Sequence, residues 1–217
     1  MVGLEPAVTD FTREGLRILR DPHLFNWSTV TFVGLALYVY AVEVERRNWS
    51  AVLAGLAFWS VDWINEVVNA LVLHFTDRAA IWTATGGTSY QILIGLNIEI
   101  SLLFFIAGIV FVKQLPPNPA AKILGLPNRV FLVLAFSTFA VLVEAVLNAA
   151  DVFHWEYWWW NFPNVPLIIL FGYGTFFAAA AWVYDMRKRS RQLTVVGALA
   201  AIDAALLITF GPILDWI

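Results

Sequence analysis

Cysteine is absent from the 217 residues, which excludes disulfides, thiolate catalysis and iron–sulfur ligation. Charge is scarce. Only 13% of residues are Asp, Glu, Lys or Arg, about half of what a soluble domain carries. The net charge of −3 gives nucleic acid nothing to bind. There is no Gly-rich phosphate-binding loop and no Asp-rich motif, which argues against ionisation of a diphosphate. Residues 1–27 are polar and mixed, and lack the apolar core of a cleavable signal peptide. What remains is apolar: 60% hydrophobic residues and a mean hydropathy of +0.74. That composition describes a polytopic membrane protein. The 11 Trp and 17 Phe serve either as interface anchors or as walls of an aromatic cavity.

The apolar segments predict six spans, at about 28–45, 50–75, 88–113, 129–152, 165–186 and 193–213, each long enough for about 30 Å of hydrocarbon. The fold class is all-α, a polytopic membrane helical bundle in one domain over 28–217, preceded by an interfacial segment at 1–27. Within that segment Val8–Arg20 sets Phe11, Leu16, Ile18 and Leu19 against Arg13, Glu14, Arg17 and Arg20, the pattern of an amphipathic surface helix, which Pro22 ends. Asn26-Trp-Ser28 and Asn48-Trp-Ser50 read as helix N-caps with an interfacial Trp rather than as glycosylation sites. Basic residues gather after spans one, three and five (Arg46, Arg47; Lys113, Lys122, Arg129; Arg187, Lys188, Arg189, Arg191). The positive-inside rule puts these loops in the cytoplasm and the N-terminus outside, as expected in a bacterial cytoplasmic membrane.

Acids mark the interior. Asp62, Glu66 and Asn69 follow at i, i+4, i+7 in Phe58-Trp-Ser-Val-Asp-Trp-Ile-Asn-Glu-Val-Val-Asn69 and share one helix face. Glu99, Glu144 and Asp203 lie inside other spans. Glu66, Glu99, Glu144 and Asp203 each come within roughly 6 Å of their span centre at 1.5 Å rise. Carboxylates facing lipid are costly, so all should converge on the bundle interior. No Lys or Arg lies among them, so they cannot all be ionised. They can be neutral and hydrogen-bonded to Asn65, Asn69, Asn97, Asn148 or indoles; they can bind a metal; or they can line a wet cavity. Trp59 and Trp63 are the nearest aromatic candidates for a binding wall.

A second, weaker constellation pairs His74 with Asp77 and Asp151 with His154, each three residues apart at the outer ends of spans two and four. Two His and two Asp could hold a metal ion, although interfacial polar residues are expected there in any case. Neither Glu66 nor Glu144 has the following His of a di-iron bundle, and no cofactor is implied. Asn65-Glu66-Val-Val-Asn69-Ala-Leu-Val-Leu-His74 is similar to Val143-Glu144-Ala-Val-Leu-Asn148-Ala-Ala-Asp-Val-Phe-His154, and each is followed by a Trp-containing loop. The likeness suggests a parallel hairpin repeat, an arrangement that often places a site between its copies.

A neutral carboxyl in an apolar pocket is a proton donor. Protonating an alkene or epoxide makes a carbocation, which aromatic faces stabilise and dry walls protect. In a membrane the natural substrate for that chemistry is an isoprenoid. The layout resembles the small integral-membrane terpene cyclases of meroterpenoid and indole-terpenoid pathways, through Trp63-Ile-Asn-Glu66 in an early span and Ala201-Ile-Asp203 in the last, with Glu99 in the span after Glu66. It departs from them in having six spans rather than seven and in separating Trp from Glu. The resemblance implies acid-catalysed cyclisation or isomerisation, with Glu66 and Asp203 as principal acids. Two other classes fit the same residues: a small proton- or cation-coupled transporter, and a pigment- or lipid-binding subunit of a larger membrane complex. A homo-oligomer is compatible with each.

Overall fold

The computed structural model describes residues 8–217. The part of the predicted interfacial segment at residues 1–7 lies outside the described residues. In chain order come α1 (Asp10–Ile18), α2 (Trp27–Glu45), α3 (Trp49–Thr76), β1 (Trp82–Ala84), β2 (Gln91–Leu93), β3 (Leu96–Asn97), α4 (Ile98–Lys113), β4 (Lys122–Ile123), β5 (Leu126–Pro127), α5 (Asn128–Ala149), β6 (Phe153–Trp155), α6 (Val165–Tyr184) and α7 (Arg189–Ile213). Among the described residues, α2, α3, α5, α6 and α7 are long and apolar enough to cross a membrane. The result is an all-α polytopic bundle.

The predicted span at 88–113 is corrected. Its helix starts only at Ile98, where the Asn97 side chain accepts the Ile100 N–H at 2.8 Å. At 16 residues, α4 is about 24 Å long. The preceding apolar run turns back as the β2–β3 hairpin, and buried Gln91 donates to the Leu93 and Ile94 carbonyls at 2.9 Å each. Gly95 is required there, since a Cβ would run into the Trp82 ring and Asn69.

α3 is the hub. It packs on α4, α6 and α7 and is buried over much of its length. It runs antiparallel to α4, with Trp59 Nε1 donating to Ser101 Oγ at 3.0 Å and Gly55 and Gly108 letting the two backbones meet. Phe58 anchors the core with edge-on contacts to Phe176 and Phe177. α5 and α7 leave most of their apolar surface uncovered.

The two ends of the bundle differ. At the basic end, Arg129 makes a bidentate pair with Asp185 at 2.9 and 2.8 Å, tying the start of α5 to the end of α6. Replacing Arg129 by Met should cost about 1–2 kcal/mol, read as a lower melting temperature in detergent. At the other end β1 and β6 pair antiparallel, with Trp82 opposite Trp155. α1 docks on this ribbon: Thr12 Oγ1 donates to Glu156 at 3.0 Å, and Phe11 stacks on His154 at 3.5 Å. The amphipathic segment thus forms a helix one turn shorter than its pattern suggested. Asn26 caps α2 as expected, accepting the Ser28 N–H at 2.9 Å. Asn48 does not cap α3; it donates to Glu43 at 2.7 Å.

Candidate functional site

Asp62 and Glu66 stand one turn apart in the middle of α3, and both are buried. From α5, Glu144 reaches the same space. Together they line a cavity of about 30 Å³ whose other walls include Trp82, Phe104, Trp160 and Tyr173. That volume holds one or two water molecules.

Each glutamate is held by an indole. Trp82 Nε1 donates to Glu66 Oε1 at 2.9 Å, and Trp155 Nε1 donates to Glu144 Oε2 at 3.2 Å. Because Trp82 and Trp155 face each other across the β1–β6 ribbon, the two Glu–Trp pairs are counterparts. The likeness of the two sequence stretches therefore extends to their contacts. Tyr173 adds a second donor to Glu144, at 2.9 Å. It ends a π-type stretch, Ile168–Tyr173, a local widening frequent at functional sites. Within that stretch Gly172 makes room for the Trp160 ring, which stacks on Trp82 at 5.9 Å.

Among the described residues, Asp62 Oδ2 and Glu66 Oε2 at this centre, and Asp203 Oδ1 on α7, are buried without a hydrogen-bond partner; so is Trp63 Nε1, which packs on Trp59 and does not line the cavity. No Lys or Arg lines the cavity. Asp203, from α7, approaches Ser60 and Asp62 without lining the cavity. Unpaired buried carboxyl oxygens are expensive in structural glue, and in a membrane interior such groups are candidates for function.

The remaining sequence candidates are distributed differently. Glu99 stands in the first turn of α4, where it accepts from Ser28 and from Thr88, away from the cluster. Asn69 commits its amide to the Trp82 backbone, accepting the N–H at 3.0 Å and donating to the carbonyl at 2.8 Å. Asn97 caps α4, Trp59 bonds Ser101, and Asn148 lies half-buried near the end of α5. The four-residue metal alternative is not assembled. His74 stacks on Trp216 at 4.6 Å, His154 on Phe11, and Asp77 and Asp151 sit in left-handed turn positions. Among the described residues no group of three or more His, Asp or Glu is arranged to hold a metal ion. Sequence reasoning missed Trp82, Trp155, Trp160 and Tyr173. The available signal was the Trp that follows each copy of the repeat.

A helical bundle with apolar spans and a buried carboxyl centre defines an integral membrane protein. The chain belongs to a family described as an uncharacterized membrane protein family, which it matches over residues 9–212. An uncharacterized protein of Archaeoglobus fulgidus is 50% identical over 209 residues, covering 96% of this chain and 99% of the relative. A second uncharacterized protein of that organism is 49% identical over 55 residues, 25% of this chain and 98% of its own length. No solved structure matches.

Proposed function

We propose that the Asp62–Glu66–Glu144 centre is a membrane-embedded acid that protonates an alkene or epoxide of an isoprenoid-class lipid. The observation that carries this reading is the convergence of three carboxyls on one aromatic-walled cavity with no basic side chain on its lining. A neutral carboxyl gives its proton to one carbon of a double bond. The resulting cation lies among Trp82, Trp160, Phe104 and Tyr173, whose faces stabilise it. Loss of a proton from the adjacent carbon back to the carboxylate shifts the double bond and regenerates the acid. Glu66 and Glu144 are the residues held in register for this, and Asp203 supports Asp62 from behind. A polyprenyl chain needs more room than about 30 Å³, so the Trp160 wall over Gly172 has to swing aside to admit it. In this reading the basic end faces the cytoplasm.

The test is deuterium incorporation from D2O into squalene or its terminal epoxide by the purified protein. Glu66→Gln should reduce it at least about 100-fold, the range for loss of a general acid. Unchanged incorporation in Glu66→Gln and Glu144→Gln would end the proposal.

The size of the cavity favours a second reading, a proton-transfer station in a small transporter. That reading expects acid-driven proton flux in proteoliposomes, abolished by Glu66→Gln, with no label entering the lipid.

A further inference from the structure

At the basic end, away from the carboxyl centre along the bundle, α2 and α4 run parallel. Tyr40 stacks on Phe105 at 3.9 Å and donates to its carbonyl at 2.9 Å. Beyond that contact the two helices enclose a groove of about 360 Å³, within the range of ligand sites. Its walls are hydrocarbon: Val42 from α2, Ile109 and Val110 from α4, and the exposed ring of Tyr38. Its mouth carries Arg46 and Lys113.

The charges there do not cancel. Glu43 is buried beneath the mouth, and both of its oxygens are taken, by Lys113 Nζ at 2.5 Å and Asn48 Nδ2 at 2.7 Å. Arg46 makes no ion pair among the described residues. Two cations against one carboxylate leave a positive charge in excess, with Lys113 already aimed by Glu43. Cations at helix C-termini complement the carbonyl ends of α2 and α4, but that does not account for an apolar trough leading away from them. The combination selects an amphiphile: an anionic head at the mouth and a hydrocarbon tail along the valines.

We propose that this groove binds an anionic membrane phospholipid, its phosphate between Arg46 and Lys113 and one chain against Val42 and Val110. Basic clefts between transmembrane helices at the membrane surface recognise such heads.

Native mass spectrometry of the full chain tests this, with phosphatidylglycerol and phosphatidylcholine of matched chains as probes. Phosphatidylglycerol should be retained preferentially, and Arg46→Gln, which leaves the Glu43–Lys113 pair intact, should weaken it about fivefold, the share of one basic residue at a membrane surface. Arg187→Gln, at the same end but off the groove, should leave retention unchanged. Val110→Trp, which fills the trough without touching charge, should also expel the lipid. Equal losses in Arg46→Gln and Arg187→Gln would overturn the proposal. So would equal retention of phosphatidylcholine, full retention in Val110→Trp, or complete displacement by millimolar inorganic phosphate, which would assign the mouth to a free anion.

Discussion

Gly108→Leu is expected to leave little folded protein, with a loss of about 3 kcal/mol or more. A Cβ at position 108 would lie 2.7 Å from the Phe58 Cβ and 2.8 Å from the Gly55 Cα. The second contact is backbone, so no rotamer relieves it. Separating α3 from α4 would also break the Trp59–Ser101 bond and loosen Phe58, which is fully buried against α6. Gly197→Ala is the matched control: nothing lies within 4 Å of its added Cβ, so no loss is expected, and intrinsic helix propensity favours Ala. Unfolding in graded denaturing detergent separates the two. Similar curves would mean that the α3–α4 approach does not limit stability.

The long helices were legible because a membrane leaves the backbone few choices. The predicted span 50–75 and the observed Trp49–Thr76 differ by one residue at each end. The stretch 88–97 was not legible by the same criterion. Ile92-Leu93-Ile94-Gly95-Leu96 is as apolar as a span, and a short apolar run does not distinguish strand from helix. The clues lay in its polar flanks. Gln91 closes the hairpin on itself, and Asn97 is a cap. This shift of the helix start also moves Glu99 from mid-span to the first turn of α4, where an acid complements the helix dipole.

The carboxyl centre was legible in part for a related reason. An acid inside an apolar helix stands out whatever its partners, so Asp62, Glu66 and Glu144 were visible one by one. Their convergence depends on which faces of α3 and α5 meet; the cost of facing lipid pointed them all inward, and the parallel repeat was the sequence hint that paired Glu66 with Glu144. The indole donors were hidden by unequal spacing. Trp82 follows Glu66 by 16 residues, whereas Trp155 follows Glu144 by 11. The longer connection in the first copy passes through an exposed turn at Asp77–Arg78 before rejoining the ribbon. Only the pairing of β1 with β6 makes the two tryptophans equivalent.

That equivalence leads to the second large effect, at Asn69. Asn69→Leu keeps the volume close but leaves the Trp82 N–H and carbonyl without their partners. At about 1–3 kcal/mol for each of the two unsatisfied buried groups, the expected loss is about 2–6 kcal/mol. Part of that strain can be relieved by letting β1 peel from α3, which would carry the Trp82 indole away from Glu66. Trp82→Phe provides the comparison, because it preserves both backbone bonds and removes only the indole donor, so its loss should be near 1 kcal/mol. Both variants should impair any activity that depends on Glu66, while only Asn69→Leu should also lower the unfolding midpoint substantially and speed hydrogen exchange in Trp82–Ala84. If Asn69→Leu were no less stable than Trp82→Phe, Asn69 would not be the clamp that holds the ribbon to α3. The register of Glu66 with its indole would then have to come from the β1–β6 pairing alone.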